Sequence, residues 1–308
     1  MPAPIVVSHS ELDAIRQCGH KADLAYFQRW SPITTSPSLA IGRVWHEMMA
    51  EHYRALQSGA TDTARLNAVA RILVLADTED PERADLLGWM YDGHCEVYGT
   101  DPDWEIVSVE DQRLIRLPTT TGRASRFYLR MRADLIIRER NIKKPKLWLV
   151  DHKSGKNLPV EKELDLDDQF GLYTWGLRRL GDDIFGAIYS AARTQRNVSE
   201  PQTLDSRFSR TRLYRTDREL ETIAREAFAT ARAFYRYRPG EAPRAPDTSP
   251  IGPSRCRFKC PFTEPCLLGR KAGPAVEQHF LRDGGFVQLT EDEQLAERGY
   301  PDPLQPPN

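Results

Sequence analysis

Leu147-Trp148-Leu149-Val150-Asp151-His152-Lys153-Ser154-Gly155 begins with four apolar residues and passes directly into an acid, a histidine and a lysine. A short continuous apolar run is the pattern of a strand buried on both faces, inside a sheet that helices cover. Side chains alternate along a strand, so Asp151 and Lys153 project to one side and His152 to the other. A carboxylate and an ammonium thus leave the end of one buried strand together.

Outward from that strand, both flanks carry the same texture. Upstream, Trp104 to Leu117 and Arg126 to Arg138 read as extended segments with a Thr-Thr-Thr-Gly turn between them, a hairpin whose second arm carries Asp134. Downstream, the pattern predicts a helix over 166–180, a strand over 184–192, a further strand within Arg207–Arg215 and a long helix from Asp217 to about Tyr237. Ahead of the hairpin lie helical patterns. Ser8-x-x-Glu11 is a capping box for a helix running to about Arg29, with Leu12, Ile15 and Cys18 on one inward face, and 38–57, 61–76 and 82–98 follow. Strands alternating with helices behind a helical region predict an α/β fold with a mixed central sheet flanked by helices. The expected division is a helical region over 1–100, a core over 101–240, a cysteine segment over 241–285 and a loosely held tail over 286–308, all in one integrated domain. Pro239 to Pro253 holds five prolines and two glycines, the composition of a linker or wrap.

With 308 residues and 40% hydrophobic composition the chain can bury a substantial core. Its 43 basic and 44 acidic residues, net charge -1, exclude a protein that coats nucleic acid by gross charge, though not one with local patches of both signs. No stretch approaches the roughly 20 apolar residues of a membrane span. Met1-Pro2-Ala3-Pro4 lacks the basic and apolar regions of a signal peptide, and the chain is read as cytoplasmic. The five cysteines, Cys18, Cys95, Cys256, Cys260 and Cys266, are an odd number, which argues against a disulfide framework and for metal binding by some of them. Cys95 reads as a buried structural thiol.

Asp134 and Asp151 on adjacent strands, with Lys153 beside them, suit phosphodiester hydrolysis. A divalent ion held by hard oxygen ligands, Mg2+ or Mn2+, activates water and offsets charge on phosphorus, while the lysine orients the water or meets the charge. Glu110, on an earlier strand, is marked only by its order in the chain. His20, His52 and His94 read as structural.

The combination resembles the PD-(D/E)XK nuclease superfamily, in its RecB-like branch, together with CRISPR-associated adaptation nucleases and AddB-type helicase–nucleases. Gly42-Arg43-Val44-Trp45-His46-Glu47 resembles the branch's histidine motif ahead of the strands, and Gln169-Phe170-Gly171-Leu172-Tyr173 its Gln-x-x-x-Tyr motif after the lysine. The resemblance covers about 8–270 and implies a restriction-endonuclease-like sheet. It also implies that His46, Asp134, Asp151 and the backbone carbonyl of His152 hold the metal, that Lys153 is catalytic, and that Gln169 and Tyr173 contact DNA. Cys18 with Cys256, Cys260 and Cys266 matches the layout of relatives that carry a 4Fe-4S cluster. The Cys256-x-x-x-Cys260 spacing is a residue wider than the usual Cys-x-x-Cys, so zinc stays an alternative occupant. The implied activity is exonucleolytic, on single strands or DNA ends, in recombination, repair, phage replication or CRISPR adaptation. There is no Gly-x-x-x-x-Gly-Lys-Ser/Thr loop, so unwinding requires a helicase partner, and adaptation an integrase partner. The rival reading is a non-catalytic iron–sulfur DNA-binding or assembly subunit.

Overall fold

In a computed structural model the described residues are 3–196, 202–244, 256, 260–300 and 304–306. From the N-terminus come β1 (Ile5–Ser8), α1 (His9–Gln17), α2 (Gly19–Ala22), a π-helical turn at Asp23–Phe27 and β2 (Trp30–Pro32). The helices α3 (Pro37–Gln57), α4 (Asp62–Glu79) and α5 (Pro81–Tyr98) precede β3 (Trp104–Pro118), β4 (Ala124–Glu139) and β5 (Leu147–Gly155). Next are α6 (Glu161–Leu164), α7 (Asp168–Arg179), β6 (Ile184–Arg193), α8 (Leu204–Arg207), β7 (Phe208–Leu213) and α9 (Asp217–Phe234). The C-terminal part holds α10 (Thr263–Ala272), α11 (Pro274–Asp283), β8 (Phe286–Gln288) and α12 (Glu291–Glu297). No helix among the described residues is long and apolar enough to cross a membrane.

The chain forms two compact units. One comprises Met1–Thr35, Arg116–Arg130 and Ala224–Asn308, the other Ser36–Ile115 and Met131–Ile223. They interleave along the chain, whereas the sequence reading divides it consecutively at about 100, 240 and 285.

The Ser36–Ile223 unit contains the mixed sheet. Its strand order is β4-β5-β6-β7, with β3 also paired to β4. β5 lies antiparallel to β4, with Leu135 opposite Val150, and parallel to β6, with Asp151 opposite Tyr189. The parallel pair needs a crossover, and α7 supplies it, which is why a helix must follow the lysine. Ser36, Thr61 and Asp80 cap α3, α4 and α5 by accepting from the backbone three residues on, and Pro37 and Pro81 occupy first-turn positions where no amide partner is lost. Trp45, Met48, Met49 and Tyr53 of α3 pack with Trp148, Val150 and Ile188 of the sheet into one core. Burying a side chain of this size stabilises by about 1.5–3 kcal/mol.

A charged network lies within this core. The Arg210 guanidinium, from β7, binds both Asp101 carboxylate oxygens, one at 2.9 Å, and Tyr53 Oη donates to the same carboxylate at 2.7 Å. Arg210 also lies 3.5 Å from the Tyr98 ring centroid and 4.0 Å from that of Trp104. Tyr53 in turn stacks on His152 at 5.3 Å. The inward side of the strand that carries Asp151 and Lys153 is thereby held.

In the other unit, β1 pairs parallel to the first half of β4, with Ser8 opposite Arg130. The single helix predicted to Arg29 is instead broken at Cys18, which caps α1 at its C-terminus and whose Sγ accepts from Lys21 N at 3.5 Å. The break follows from a close approach. A Cβ on Gly19 would sit 2.9 Å from the Pro243 carbonyl oxygen, and His20 N donates to that same oxygen at 2.9 Å. Gly240 N adds two hydrogen bonds to the Asp23 carboxylate, so the described start of the proline-rich stretch wraps this turn. Residues 245–253 of that stretch lie outside the described residues. Beyond Gly285, where the sequence suggests a loose tail, β8 pairs antiparallel to β2 and α12 opens with a capping box at Thr290.

Two outcomes test these constraints. Asp101→Ala leaves Arg210 buried without its carboxylate and should cost about 3–5 kcal/mol in urea denaturation; a loss below about 1 kcal/mol would remove the network from this role. Glu11, 6% exposed, is pushed up to about 7 by burial, although Tyr235 Oη donates to it at 2.7 Å. The folded chain keeps this proton up to about 7 and the unfolded one loses it near 4.5. Stability tied to Glu11 is therefore complete below 4.5 and lost as pH rises through about 7. Unfolding free energy measured across that range should fall less in Glu11→Gln than in the wild type.

Candidate active site

Adjacent strands deliver Asp134 and Asp151 because β4 and β5 are hydrogen-bonded neighbours. Asp134 Oδ2 accepts from the backbone N of His152 at 2.8 Å and lies 3.1 Å from His46 Nδ1 on α3. Asp151 Oδ2 pairs with Lys153 Nζ at 2.6 Å. From α7, Gln169 joins both: its Nε2 donates to Asp151 Oδ1 at 3.0 Å and its Oε1 accepts from Lys153 Nζ at 3.3 Å. Alternation along β5 holds as predicted, since the His152 ring turns to the opposite side and packs on Tyr53. Tyr173 is 6% exposed and belongs to the buried face of α7.

Glu110 is the residue that sequence reasoning left unassigned. Ligand atoms of His46, Glu110 and Asp134 all lie within 4.8 Å of one another, a group able to hold a metal ion. Glu110 reaches it through a left-handed backbone, φ 54°, in the middle of β3. Such a conformation costs about 1–3 kcal/mol for a residue with a Cβ and re-aims the side chain. A signal was present in the pattern: Ile106 and Val109, three apart, both pack on the same core, which strict alternation forbids without a slip in phase. Arg132 Nε pairs with the Glu110 carboxylate at 2.7 Å.

The electrostatics follow from burying three carboxylates together. Burial would raise Asp134, but His46, Lys153 and His152 outweigh it and hold the carboxyl well below the usual range. Burial, with Asp134 adding repulsion, pushes Glu110 up to about 7. Burial also pushes Asp151 up, to about 6, against the pull of Lys153. For Lys153, burial acts downward but Asp151 and Asp134 prevail, so its ammonium is held above its ordinary value. The cluster can present an ionised carboxylate, two carboxyls poised near neutrality, an imidazole and a fixed ammonium. The carboxylate oxygens among these are hard donors that fit Mg2+ or Mn2+, with the His46 imidazole as a borderline ligand. Arg132 pairs with Glu110 and Lys153 with Asp151, so each of these two carboxylates has a cation beside it.

The other histidines divide. His52 and His94 sit among aromatic rings, and burial lowers both, His52 to about 3, as befits neutral core residues. His20, also expected to be structural, instead meets Cys266 and Glu277 in a second group able to hold a metal ion. Its Nε2 lies 2.7 Å from Glu277 Oε1, and Arg244 donates to Glu277 at 3.0 Å and through Nε to Cys266 Sγ at 3.3 Å. Burial acts to raise the Cys266 thiol, but hydrogen bonds from His20 and Arg244 bring it below its ordinary value. Burial pushes the Cys260 thiol up, and the neighbouring Cys18 and Cys256 add to that. Thr263 Oγ1 donates to the carbonyls of both Cys256 and Cys260, folding them onto the start of α10. Cys95 lies 3.7 Å from Arg65 Nη1 and packs against the core formed by α3 and the sheet.

Among solved structures the chain is similar to SSO0001, at 13% identity and TM-score 0.38, covering 86% of this chain and 87% of that one. It is also similar to a protein of Eubacterium rectale named for an inferred exonuclease activity, at 12% identity and TM-score 0.48, covering 86% and 92%. No curated protein matches. The model of the PD-(D/E)XK nuclease superfamily matches residues 6–267, a span that contains Asp134, Asp151 and Lys153. By that match the chain belongs to the PD-(D/E)XK nuclease superfamily.

Proposed function

We propose that this chain is a Mg2+- or Mn2+-dependent deoxyribonuclease that hydrolyses DNA phosphodiesters from strand ends, with Asp134, Asp151 and Lys153 at its catalytic centre. The observation that carries this reading is the convergence of His46, Glu110 and Asp134 donor atoms within 4.8 Å, next to the Asp151–Lys153 pair at 2.6 Å. A divalent ion held there would lower the pKa of a water and bring positive charge to the phosphate oxygens. Asp134, held ionised, would be the principal carboxylate for it, with Glu110 and His46 beside it and Asp151 and the His152 backbone carbonyl as further ligands.

Asp151 and Asp134 hold the Lys153 ammonium above its ordinary value. That ammonium therefore meets charge developing on the phosphate rather than taking a proton from water. Gln169 is a positioning residue in this reading: it bonds both members of the pair and fixes the lysine against Asp151. Tyr173, on the same helix face, supports that placement, and the DNA contact implied for both by resemblance passes through α7. A helicase or an integrase complex that delivers a free strand end is the partner class this reading calls for.

We also propose that Cys18, Cys256, Cys260 and Cys266 hold a 4Fe-4S cluster, which would supply a rigid link between the first helix and the C-terminal helices. The charge interaction of Cys18 and Cys256 with Cys260, and the hydrogen bonds that bring the Cys266 thiol below its ordinary value, support four sulfur ligands. Arg244 and His20 donate to Cys266 and orient its sulfur.

Two measurements test the proposals. With either ion, end-labelled linear single-stranded DNA should be degraded and circular DNA spared. Lys153→Ala and Asp151→Ala should each lower the rate by about 10²–10³-fold or more, and Glu110→Gln should raise the metal concentration needed for half-maximal rate. An inactive wild type with both ions on both substrates would overturn the catalytic reading. Protein purified without oxygen should contain iron and acid-labile sulfide in equal amounts, both lost in Cys266→Ser; zinc without sulfide would overturn the cluster.

A further inference from the structure

We propose that a cavity of about 410 Å³ in the unit formed by Met1–Thr35, Arg116–Arg130 and Ala224–Asn308 is a binding pocket for a phosphomonoester. Three arginines line it: Arg29, Arg130 and Arg298. Arg130, on β4, is 8% exposed, and its Nε lies buried without a hydrogen-bond acceptor among the described residues. No carboxylate among the described residues lies within ion-pair distance of it. Arg298 donates through Nη2 to the Ala25 carbonyl at 3.2 Å and rests 3.6 Å from the Tyr26 ring centroid, while its Nη1 is likewise buried without an acceptor. Arg29 is held toward the cavity in a left-handed backbone, φ 58°, with its Nε fixed by the Leu289 carbonyl at 3.0 Å.

Buried guanidinium groups are normally paired, because taking a cation out of water is costly unless an anion and hydrogen bonds compensate. Here the nearest acids do not serve. Glu11 accepts from Tyr235 Oη, and burial raises it to about 7, so it lends the arginines only part of a charge at neutral pH and little in acidic solution. Glu291 is exposed. Burial accordingly lowers Arg130 from its ordinary value, with Tyr300, Glu291 and Glu11 offsetting only part of it. An anion arriving from outside would complete the set.

The geometry of the donors selects the class of anion. Guanidinium forks present parallel N–H pairs that match tetrahedral oxyanions, and two forks with open N–H groups match a dianion better than a single charge. The volume exceeds what a bare phosphate fills and lies in the range of pockets that enclose small molecules. A nucleoside monophosphate group therefore fits both charge and size. It has two sources, the phosphorylated end of a strand and a free mononucleotide.

The test is equilibrium binding to the full chain in the presence of a chelator, so that no catalytic metal contributes and the outcome is independent of the nuclease reading. The probes are inorganic phosphate, a nucleoside 5′-monophosphate, and one short single-stranded oligonucleotide with and without its 5′-phosphate. The 5′-phosphate should tighten oligonucleotide binding about 10- to 100-fold, the range of charge-assisted hydrogen bonds, and Arg130→Gln and Arg298→Gln should each abolish the difference. Arg130→Lys, which keeps the charge without the fork, should restore part of it. A mononucleotide that binds as tightly as the phosphorylated strand identifies free nucleotide as the ligand, and a weaker one identifies the strand end. Circular dichroism and thermal melting verify folding, and the half-exposed Arg298 carries the test if Arg130→Gln unfolds. Equal binding of the two oligonucleotides together with no mononucleotide binding, or binding that both substitutions leave unchanged, would overturn the proposal.

Discussion

The burial of three carboxylates on neighbouring strands is the constraint to which the Ser36–Ile223 unit answers. Glu110, Asp134 and Asp151 come from β3, β4 and β5, and like charges so close in a low dielectric cannot all ionise without cations nearby. The chain meets this with His46 from α3, Lys153 from β5 and Arg132 from β4. Each of these partners must come from a particular element in a particular register. The positions of α3 against β5 and of α7 against β6 are thus bound up with the chemistry as well as with the apolar core.

The other face of β5 makes the acidic face possible. His152 turns inward onto Tyr53, and Tyr53 is tied through Asp101 to Arg210 on β7. A strand end that carries charged groups toward solvent would ordinarily fray. Here its opposite side is clamped by stacked rings and a buried ion pair, which leaves Asp151 and Lys153 little freedom to drift. Such rigidity matters for a site whose members must stay within hydrogen-bond reach of a phosphate.

In the other unit, sulfur chemistry and chain path depend on each other. Cys18 could not stand where it does in an unbroken helix. The break depends on Gly19, because the Pro243 carbonyl comes too close for any side chain there. The same wrap brings Arg244 to Cys266 and Glu277. Polar groups from 18–23, 240–244 and 266–277 thereby form one hydrogen-bonded patch, in which the thiol of Cys266 is stabilised as its anion.

Resemblance of their motifs to a known family marked His46 and Gln169, and the residues by themselves determined the alternation of elements, the strand-end pair Asp151 and Lys153 and the partner Asp134. These were legible because apolar periodicity, strand alternation and helix caps are local, and because a charged pair after an apolar run is conspicuous. Only the tertiary structure decided that Glu110 belongs with His46 and Asp134, since its approach depends on a left-handed residue inside a strand that interrupts the period on which such reading relies. It alone placed His20 beside Cys266 and Glu277, and left the buried Nε of Arg130 without a hydrogen-bond acceptor among the described residues. The reason is the same in each case: these relations join residues far apart in the chain, and what a buried charge meets is settled by packing, which no local pattern records.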